Sequence, residues 1–198
     1  KEEPYIRYNI KYTRQAYGLD EIEEQDRPAG GELTYEDLGK EERTLKNVRL
    51  WDYRPLRDTY RQLQEIRLYY EFADVDIDRY RIDGEYRQVT LSAREMASEL
   101  LPSRNWINEH LIYTHGYGLV MSPVNEISGE GLPELYIKDL PPESVPGLEI
   151  ERPEIYYGEK TDGFVLVKTS LEEFDYPKGN ENVATIYQGD GGIPLNSS

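Results

Sequence analysis

The stretch NEHLIYTHGYGLVMSPVNE, residues 108–126, decides the fold. Residues 110–125 contain no Asp, Glu, Lys or Arg, although 31% of the whole chain carries one of those charges. Both histidines of the chain, His110 and His115, lie in this stretch. Its composition and its glycines predict a buried helix that turns tightly into a buried strand. We therefore interpret it as the structural spine of the protein, and any site that it supports as secondary to that role.

Patterns typical of helices come early in the chain. Residues 4–17 and the segment after Pro55 have apolar residues at helical spacing, and the second apolar stripe runs from Leu56 to Tyr70. A third, short helix is predicted over residues 92–100.

Patterns typical of strands dominate the rest. RYRIDGEYRQVTL, residues 79–91, places Asp83-Gly84 between two runs of strand formers, which predicts a hairpin with a type I′ turn. Further strands are predicted at ELYIK, EIYYGE, FVLVK and NVATIY. Helices mainly in the first half and strands in the second predict an α+β fold, with several helices packed on a mostly antiparallel sheet.

The length of 198 residues suits a single domain over residues 1–198. Residues 19–47 are acidic and aperiodic and are predicted to form a surface excursion, with a turn at Pro28–Gly31.

The charge and composition exclude several classes of function. The net charge is −16, so the chain is acidic and is not expected to bind nucleic acid or insert into lipid. Cys is absent, which excludes disulfides, thiol catalysis and zinc–thiolate sites. No apolar run is long enough to cross a membrane.

The spacing of the two histidines argues against a shared metal site. Residues five apart point about 140° away from each other on a helix and to opposite faces on a strand. We therefore expect at least one of His110 and His115 to be a hydrogen-bonded structural residue. A catalytic role is the alternative, in which one of the two acts as a base with Glu109 or Glu126 as its acidic partner. Candidate binding residues in the same stretch are Asn108, Tyr113 and Tyr117.

A ladder of carboxylates lies in EFADVDIDRY, residues 71–80. Asp74, Asp76 and Asp78 share one face of an extended chain, and clustered carboxylates suit a hard divalent cation. A solvated acidic strand face is the favoured interpretation, with a weak cation site as the alternative. No cofactor is predicted.

Several long segments resemble the uncharacterised protein family 0182, a set of bacterial multi-pass membrane proteins. They include PYIRYNIKYTRQAYGL, LWDYRPLRDTYRQLQEIRLYYEFADVDIDRY, WINEHLIYTHGYGLVMSPVNE, GLPELYIKDLPP and RPEIYYGE. The segments occur in consistent order and cover essentially the whole chain.

The resemblance implies a larger protein, with an array of transmembrane helices followed by a region outside the cytoplasmic membrane. This chain resembles a segment of that extracytoplasmic region, and the membrane-embedded part of the same protein is its expected partner. The family has no agreed activity or catalytic residues. We therefore expect a non-enzymatic binding or interaction module, with an envelope-associated, hydrolase-like enzyme as the alternative.

Overall fold

The computed structural model describes residues 1–26, 30–31 and 34–195. The chain divides into two compact units, Lys1–Lys40 and Glu41–Ser198, and the single domain over residues 1–198 stays a prediction. Within the described ranges, no helix has both the length and the apolar character needed to cross a membrane.

The first unit is helical. It contains α1 (Glu3–Ala16), a 3-10 turn (Leu19–Glu21) and α2 (Tyr35–Lys40). The α1 helix confirms the helix predicted over residues 4–17, and none of its side chains is buried. A capping box begins α2, in which the Thr34 and Asp37 side chains each accept from the other residue's backbone N–H. Pro28 and Ala29 of the predicted turn lie outside the described residues.

The second unit begins with α3 (Glu42–Leu45) and α4 (Tyr53–Gln64). The segment 19–47 therefore contains short helices, and none of its described side chains is buried. The α4 helix confirms the second predicted helix, but its apolar stripe does not reach Tyr70. The helix ends at Gln64, because Ile66 adopts a positive φ of 63°, which is incompatible with an α-helix.

The described residues form ten strands that all pair antiparallel, which confirms the α+β fold with a mostly antiparallel sheet. The main sheet has the order β1-β3-β5-β6-β7, with β2 also paired to β3, and two small sheets pair β9 with β10 and β4 with β8. The strands are β1 (Tyr70–Phe72), β2 (Asp76–Ile82), β3 (Glu85–Met96), β4 (Gly116–Tyr117), β5 (Leu119–Pro123), β6 (Ile137–Lys138), β7 (Glu143–Ser144), β8 (Glu154–Ile155), β9 (Glu173–Lys178) and β10 (Glu181–Thr185).

The hairpin between β2 and β3 confirms the prediction from Asp83-Gly84. Ile82 pairs with Glu85, and the two residues between them have positive φ angles of 52° and 80°. Both central residues of a type I′ turn need positive φ, which Asp and Gly tolerate.

Two predictions of local structure are wrong. Residues 92–100 do not form a helix, because β3 continues through Met96 and only Ser98–Leu100 forms a 3-10 turn. Pairing with β5 overrides the local preference of this segment. FVLVK forms no strand; it is an irregular segment, tied to the spine by a bond from the Leu166 N–H to the His110 carbonyl.

The core of the second unit lies around the central strand β3. Three clusters of buried side chains include Tyr60, Tyr70, Phe72, Val89, Val120 and Phe174. Residues 119–124 of the spine are buried or half-buried, as predicted for its strand. The prediction of a buried helix before that strand is wrong, because the helix Asn108–Ile112 has no fully buried side chain. Arg94 is fully buried on β3 and donates to the carbonyls of Gln64 and Tyr117, while burial lowers the pKa of its guanidinium to about 10.

Candidate functional site

The spine, residues 108–126, begins with a π-helix, Asn108–Ile112, which contributes side chains to the candidate site. The Asn108 N–H donates to Asn105 Oδ1, and the Asn108 side chain donates to the Ser103 carbonyl. Asn108 therefore stabilises the start of the helix. Short π-helices are rare and occur frequently at functional sites.

His110 lies in this π-helix and is half-buried. Its ring stacks on Phe164 with the ring centres 4.3 Å apart and the planes within 3° of parallel. Its Nδ1 lies 2.7 Å from the Phe164 carbonyl oxygen. A carbonyl only accepts, so Nδ1 carries a proton, and in the neutral ring Nε2 is left as an acceptor.

A cavity of about 220 Å³ lies beside this stack. His110, Tyr113 and Thr114 line it from the spine, and residues 160–165 line it from the opposite side. His115 also lines the cavity, although its side chain is almost fully buried. The two histidines that the sequence singles out therefore border one cavity.

His115 lies in a cluster of buried and half-buried polar side chains, which we call the His115 cluster: Thr114, His115, Tyr156, Glu173 and Asp175. His115 Nδ1 lies 2.9 Å from Thr114 Oγ1, and Nε2 lies 3.4 Å from Asp175 Oδ1. Glu173 Oε2 accepts from Thr114 Oγ1 at 2.5 Å and from the Tyr156 hydroxyl at 2.8 Å.

These hydrogen bonds determine the protonation of His115. The Thr114 hydroxyl has one proton and donates it to Glu173, so it accepts from His115 Nδ1. The Asp175 carboxylate also accepts, so Nε2 carries a proton as well. These contacts favour the imidazolium form of His115, which lies between two carboxylates, and its ring lies 4.7 Å from that of Tyr156.

The electrostatics agree with this assignment. Burial by itself lowers the pKa of His115, but hydrogen bonds to Asp175 and Glu173 outweigh burial and raise that pKa. Burial by itself raises the pKa of Glu173, but hydrogen bonds with His115, Thr114 and Tyr156 outweigh it and lower that pKa. Each charge thus stabilises the other.

Two backbone features bring the cluster together. The register of β9 and β10 passes from Tyr176 directly to Phe174, so a β-bulge falls at Asp175. Bulges change the direction of side chains and are common beside functional sites. Gly116, the residue after His115, packs closely against β3. A Cβ added at this position would lie 2.2 Å from the Arg94 carbonyl oxygen. A larger residue at position 116 is therefore incompatible with this approach.

The structure places the predicted acidic partners away from His115. Glu109 lines the cavity but pairs with Arg104, at 2.7 Å. Glu126 pairs with Arg87 and accepts from the Tyr136 hydroxyl at 3.0 Å. The carboxylates at His115 are Glu173 and Asp175, which the sequence analysis does not identify. The sequence signal for Glu173 and Asp175 is their spacing of two residues, which puts both side chains on one face of a strand. Residues 173–179 are not predicted to form a strand, so this signal is missed.

The predicted binding residues have different surroundings. Tyr113 lines the cavity and packs its ring against Phe174, 4.9 Å away. Tyr117 is buried against Tyr176, and its carbonyl accepts from Arg94. The catalytic and binding roles proposed for the residues of the spine stay predictions.

The carboxylate ladder does not assemble into a coordination shell. Asp74 lies before β2, while Asp76 and Asp78 lie on it. The carboxylates of Asp74 and Asp78 each accept from the backbone N–H of the next residue. Among residues 1–26, 30–31 and 34–195, no group of three or more His, Cys, Asp or Glu residues is arranged to hold a metal ion. Weak binding of a divalent cation stays a prediction.

Comparison with known proteins identifies the family. The model of the uncharacterised protein family UPF0182 matches residues 1–198. The chain belongs to this family. UPF0182 proteins of Trichodesmium erythraeum, Desulforamulus reducens and a Sulfurovum species are 58%, 56% and 52% identical to it. Each alignment covers 100% of this UPF0182 chain but only 22%, 21% and 22% of the relative, so the chain spans about a fifth of their length. No solved structure matches it.

Proposed function

We propose that this chain is a non-enzymatic binding or interaction module of a bacterial integral membrane protein, on the extracytoplasmic side of the cell membrane. The observation that supports the non-enzymatic role is the pair of hydrogen-bond acceptors, Thr114 Oγ1 and the Asp175 carboxylate, at the two ring nitrogens of His115. Both of its ring nitrogens donate hydrogen bonds, so it has no lone pair with which to accept a proton from Thr114. Thr114, His115 and Asp175 are connected as in a catalytic triad but lack the base that such a triad needs.

The α1 helix supports an interaction role. Ile6 and Ile10 are 56% and 55% exposed, and Tyr8 and Tyr12 are also exposed. A helix of this length without buried side chains is marginal in water by itself. The family relatives extend far beyond the length of this chain. Ile6 and Ile10 lie on one side of α1, and Tyr8 and Tyr12 lie on the opposite side. We propose that the membrane-embedded part of the same protein contacts both sides of this helix.

The topology can be tested by cysteine labelling, because this chain contains no Cys. In the full-length protein, Glu143→Cys places a thiol at an exposed position, and Ser92→Cys places one at a buried position. Any Cys outside this chain is first replaced, and this cysteine-free parent serves as the control. A membrane-impermeant maleimide should label the first variant in intact cells, but not the second or the parent. Labelling of Glu143→Cys only after lysis would overturn the extracytoplasmic assignment.

The contact of α1 can be tested in the same protein. A photo-crosslinking amino acid at Tyr8 should give an intramolecular crosslink to a membrane-embedded segment, identified by mass spectrometry. The same probe at Tyr86, an exposed tyrosine of the β2–β3 hairpin, serves as a control for non-specific capture. Crosslinks from Tyr8 only to other proteins, or to a second copy, would contradict the proposed partner.

A second candidate function is an envelope-associated hydrolase with His110 as its base. It is favoured by the bond from His110 Nδ1 to the Phe164 carbonyl, which orients the ring and leaves Nε2 as an acceptor at the cavity. This candidate requires that the protein hydrolyse an envelope-derived substrate and that His110→Gln abolish the activity. Turnover that His110→Gln does not change would exclude it.

A further inference from the structure

The cavity beside His110 is small and preformed. Its volume of about 220 Å³ is below the range of roughly 300–1,000 Å³ that is typical of pockets for drug-sized ligands, so it suits a single small ring. The Glu95 carboxylate accepts from the backbone N–H groups of Glu159 and Lys160, at 3.0 and 2.7 Å. Glu95 is buried, so these bonds hold the lining segment in place before a ligand arrives.

His110 and Phe164 line the cavity, and Trp106 packs against His110 outside this lining. Phe164 and Trp106 are 59% and 53% exposed, and the His110 ring contacts both, with ring centres 4.3 and 5.2 Å away. Adjacent exposed aromatic rings are a common feature of surfaces that bind a partner. They offer flat apolar area to a ligand with a flat apolar side.

Charged side chains of both signs line the cavity. Two cations, Arg104 and Lys160, line it together with two carboxylates, Glu109 and Asp162. Arg104 pairs with Glu109 at 2.7 Å, and Lys160 pairs with Glu71 at 3.5 Å. A ligand with a net charge would leave one of these groups facing a like charge, and a wholly apolar ligand would desolvate all of them without replacing their hydrogen bonds.

We propose that this cavity binds one ring of a neutral saccharide. The proposal rests on the binding role proposed above and names its ligand class. A sugar ring has C–H faces that pack on aromatic rings, and its hydroxyl groups both donate and accept. Those hydroxyls donate to the carboxylates of Glu109 and Asp162 and accept from Arg104 and Lys160 at the same time. In the neutral ring, His110 Nε2 is a further acceptor at the cavity.

The two tryptophans of the chain allow a direct measurement. Trp51→Phe leaves Trp106 as the single indole, so its fluorescence reports on the aromatic surface. The variant is titrated with neutral methyl glycosides and N-acetylglucosamine, and with glucuronate and glucosamine as charged probes of the same ring size. We expect saturable changes with at least one neutral sugar and at least tenfold weaker binding of its charged counterparts.

Amide chemical shifts are followed in the unsubstituted chain as a second readout that does not depend on Trp106. They should move in residues 160–165. Trp106→Ala and Asp162→Asn should each weaken binding at least tenfold, whereas Glu172→Gln, on an exposed side chain, should not change it. A tetrasaccharide built from the same sugar distinguishes two sources of the ligand. Tighter binding of the tetrasaccharide than of the monosaccharide would indicate that the cavity takes the end of a polymer rather than a free monosaccharide.

The saccharide proposal is overturned if no neutral sugar gives saturable shifts in either readout, if a charged probe binds more tightly, or if the shifts lie outside the cavity. The crosslinking of Tyr8 to the membrane-embedded part is independent of these titrations. If the crosslink forms and sugars do not bind, the interaction module stands with a different ligand. If neither is observed, both proposals fail.

Discussion

His115 Nε2 lies 3.4 Å from Asp175 Oδ1, and Asp175 is the residue at the β-bulge of β9. The contact joins the spine to a small sheet that shares no strand pairing with the main one. With Glu173 on the other side, a buried cation is held between two carboxylates from one strand. The attachment of the β9–β10 hairpin to the core is therefore electrostatic as well as apolar, and it must depend on pH.

The pH dependence has a defined sign. The folded-state pKa of His115 is raised, so its stabilisation is complete below the unfolded-state pKa of about 6.5 and is lost as pH rises through the folded value. The pKa of Glu173 is lowered, so its stabilisation is complete above the unfolded value and is lost as pH falls through the folded value. We expect maximal stability between the acidic pH range in which Glu173 loses its stabilisation and the alkaline range in which His115 loses its own. The measurement is the free energy of unfolding by urea from pH 3 to pH 9.

NMR titration of His115 tests the same point at a single residue. Its ring signals should titrate above pH 6.5 and retain both N–H protons at neutral pH. In His115→Gln the alkaline loss of stability should shrink relative to the wild type. A ring that is neutral at pH 6 would contradict the imidazolium assignment.

Glu173→Gln should destabilise the protein strongly. The substitution removes the charge opposite His115 and leaves a buried cation with one carboxylate, and breaking a buried pair in this way costs about 3–5 kcal/mol. Urea unfolding provides the measurement. The adjacent Glu172→Gln is the control, because the Glu172 side chain is exposed and its loss should cost less than about 0.5 kcal/mol. Equal effects of the two substitutions would show that the buried charge contributes little.

Much of the scaffold could be predicted from the sequence because its signals are local. Asp83-Gly84 defines the β2–β3 hairpin through backbone conformations that those two residues tolerate. The charge-free residues 120–124 are buried because charged groups are excluded from a core. In both places the local preference and the tertiary structure agree.

The His115 cluster could not be predicted in the same way. Asp175 is 60 residues from His115 in the chain, and the bulge that places it depends on its pairing with β10. The predicted extent of α4 is wrong for a related reason. The apolar spacing continues to Tyr70, but the backbone at Ile66 ends the helix and leads the chain into β1. Periodicity shows which side chains are apolar, whereas long-range strand pairing determines the backbone conformation of the segment that carries them.

Gly116→Ala should destabilise the second unit. The new Cβ would lie 2.2 Å from the Arg94 carbonyl oxygen and 2.7 Å from the Glu95 Cα, so β4 must move away from β3. Overpacking of this kind costs about 1–3 kcal/mol, measured as a lower melting temperature and free energy of unfolding. Gly129→Ala is the matched control, since no atom lies within 4 Å of its added Cβ and its φ is not positive. A neutral Gly116→Ala would show that the two strands are less closely packed.

Glu95→Gln should loosen the segment that lines the cavity without unfolding the protein. The Glu95 carboxylate accepts from the N–H groups of both Glu159 and Lys160, and an amide side chain can accept only one of these bonds while its NH₂ group repels the other. Hydrogen bonds to a charged group contribute about 1.5–3 kcal/mol, so amide exchange at residues 159 and 160 should accelerate roughly tenfold or more. Amide exchange in β3 and β5 should change less. Glu99→Gln, at an exposed side chain, is the control and should change amide exchange neither at residues 159 and 160 nor in β3 and β5. Uniform acceleration across the chain would instead indicate global destabilisation, and Glu95 would then support the fold as a whole rather than the cavity.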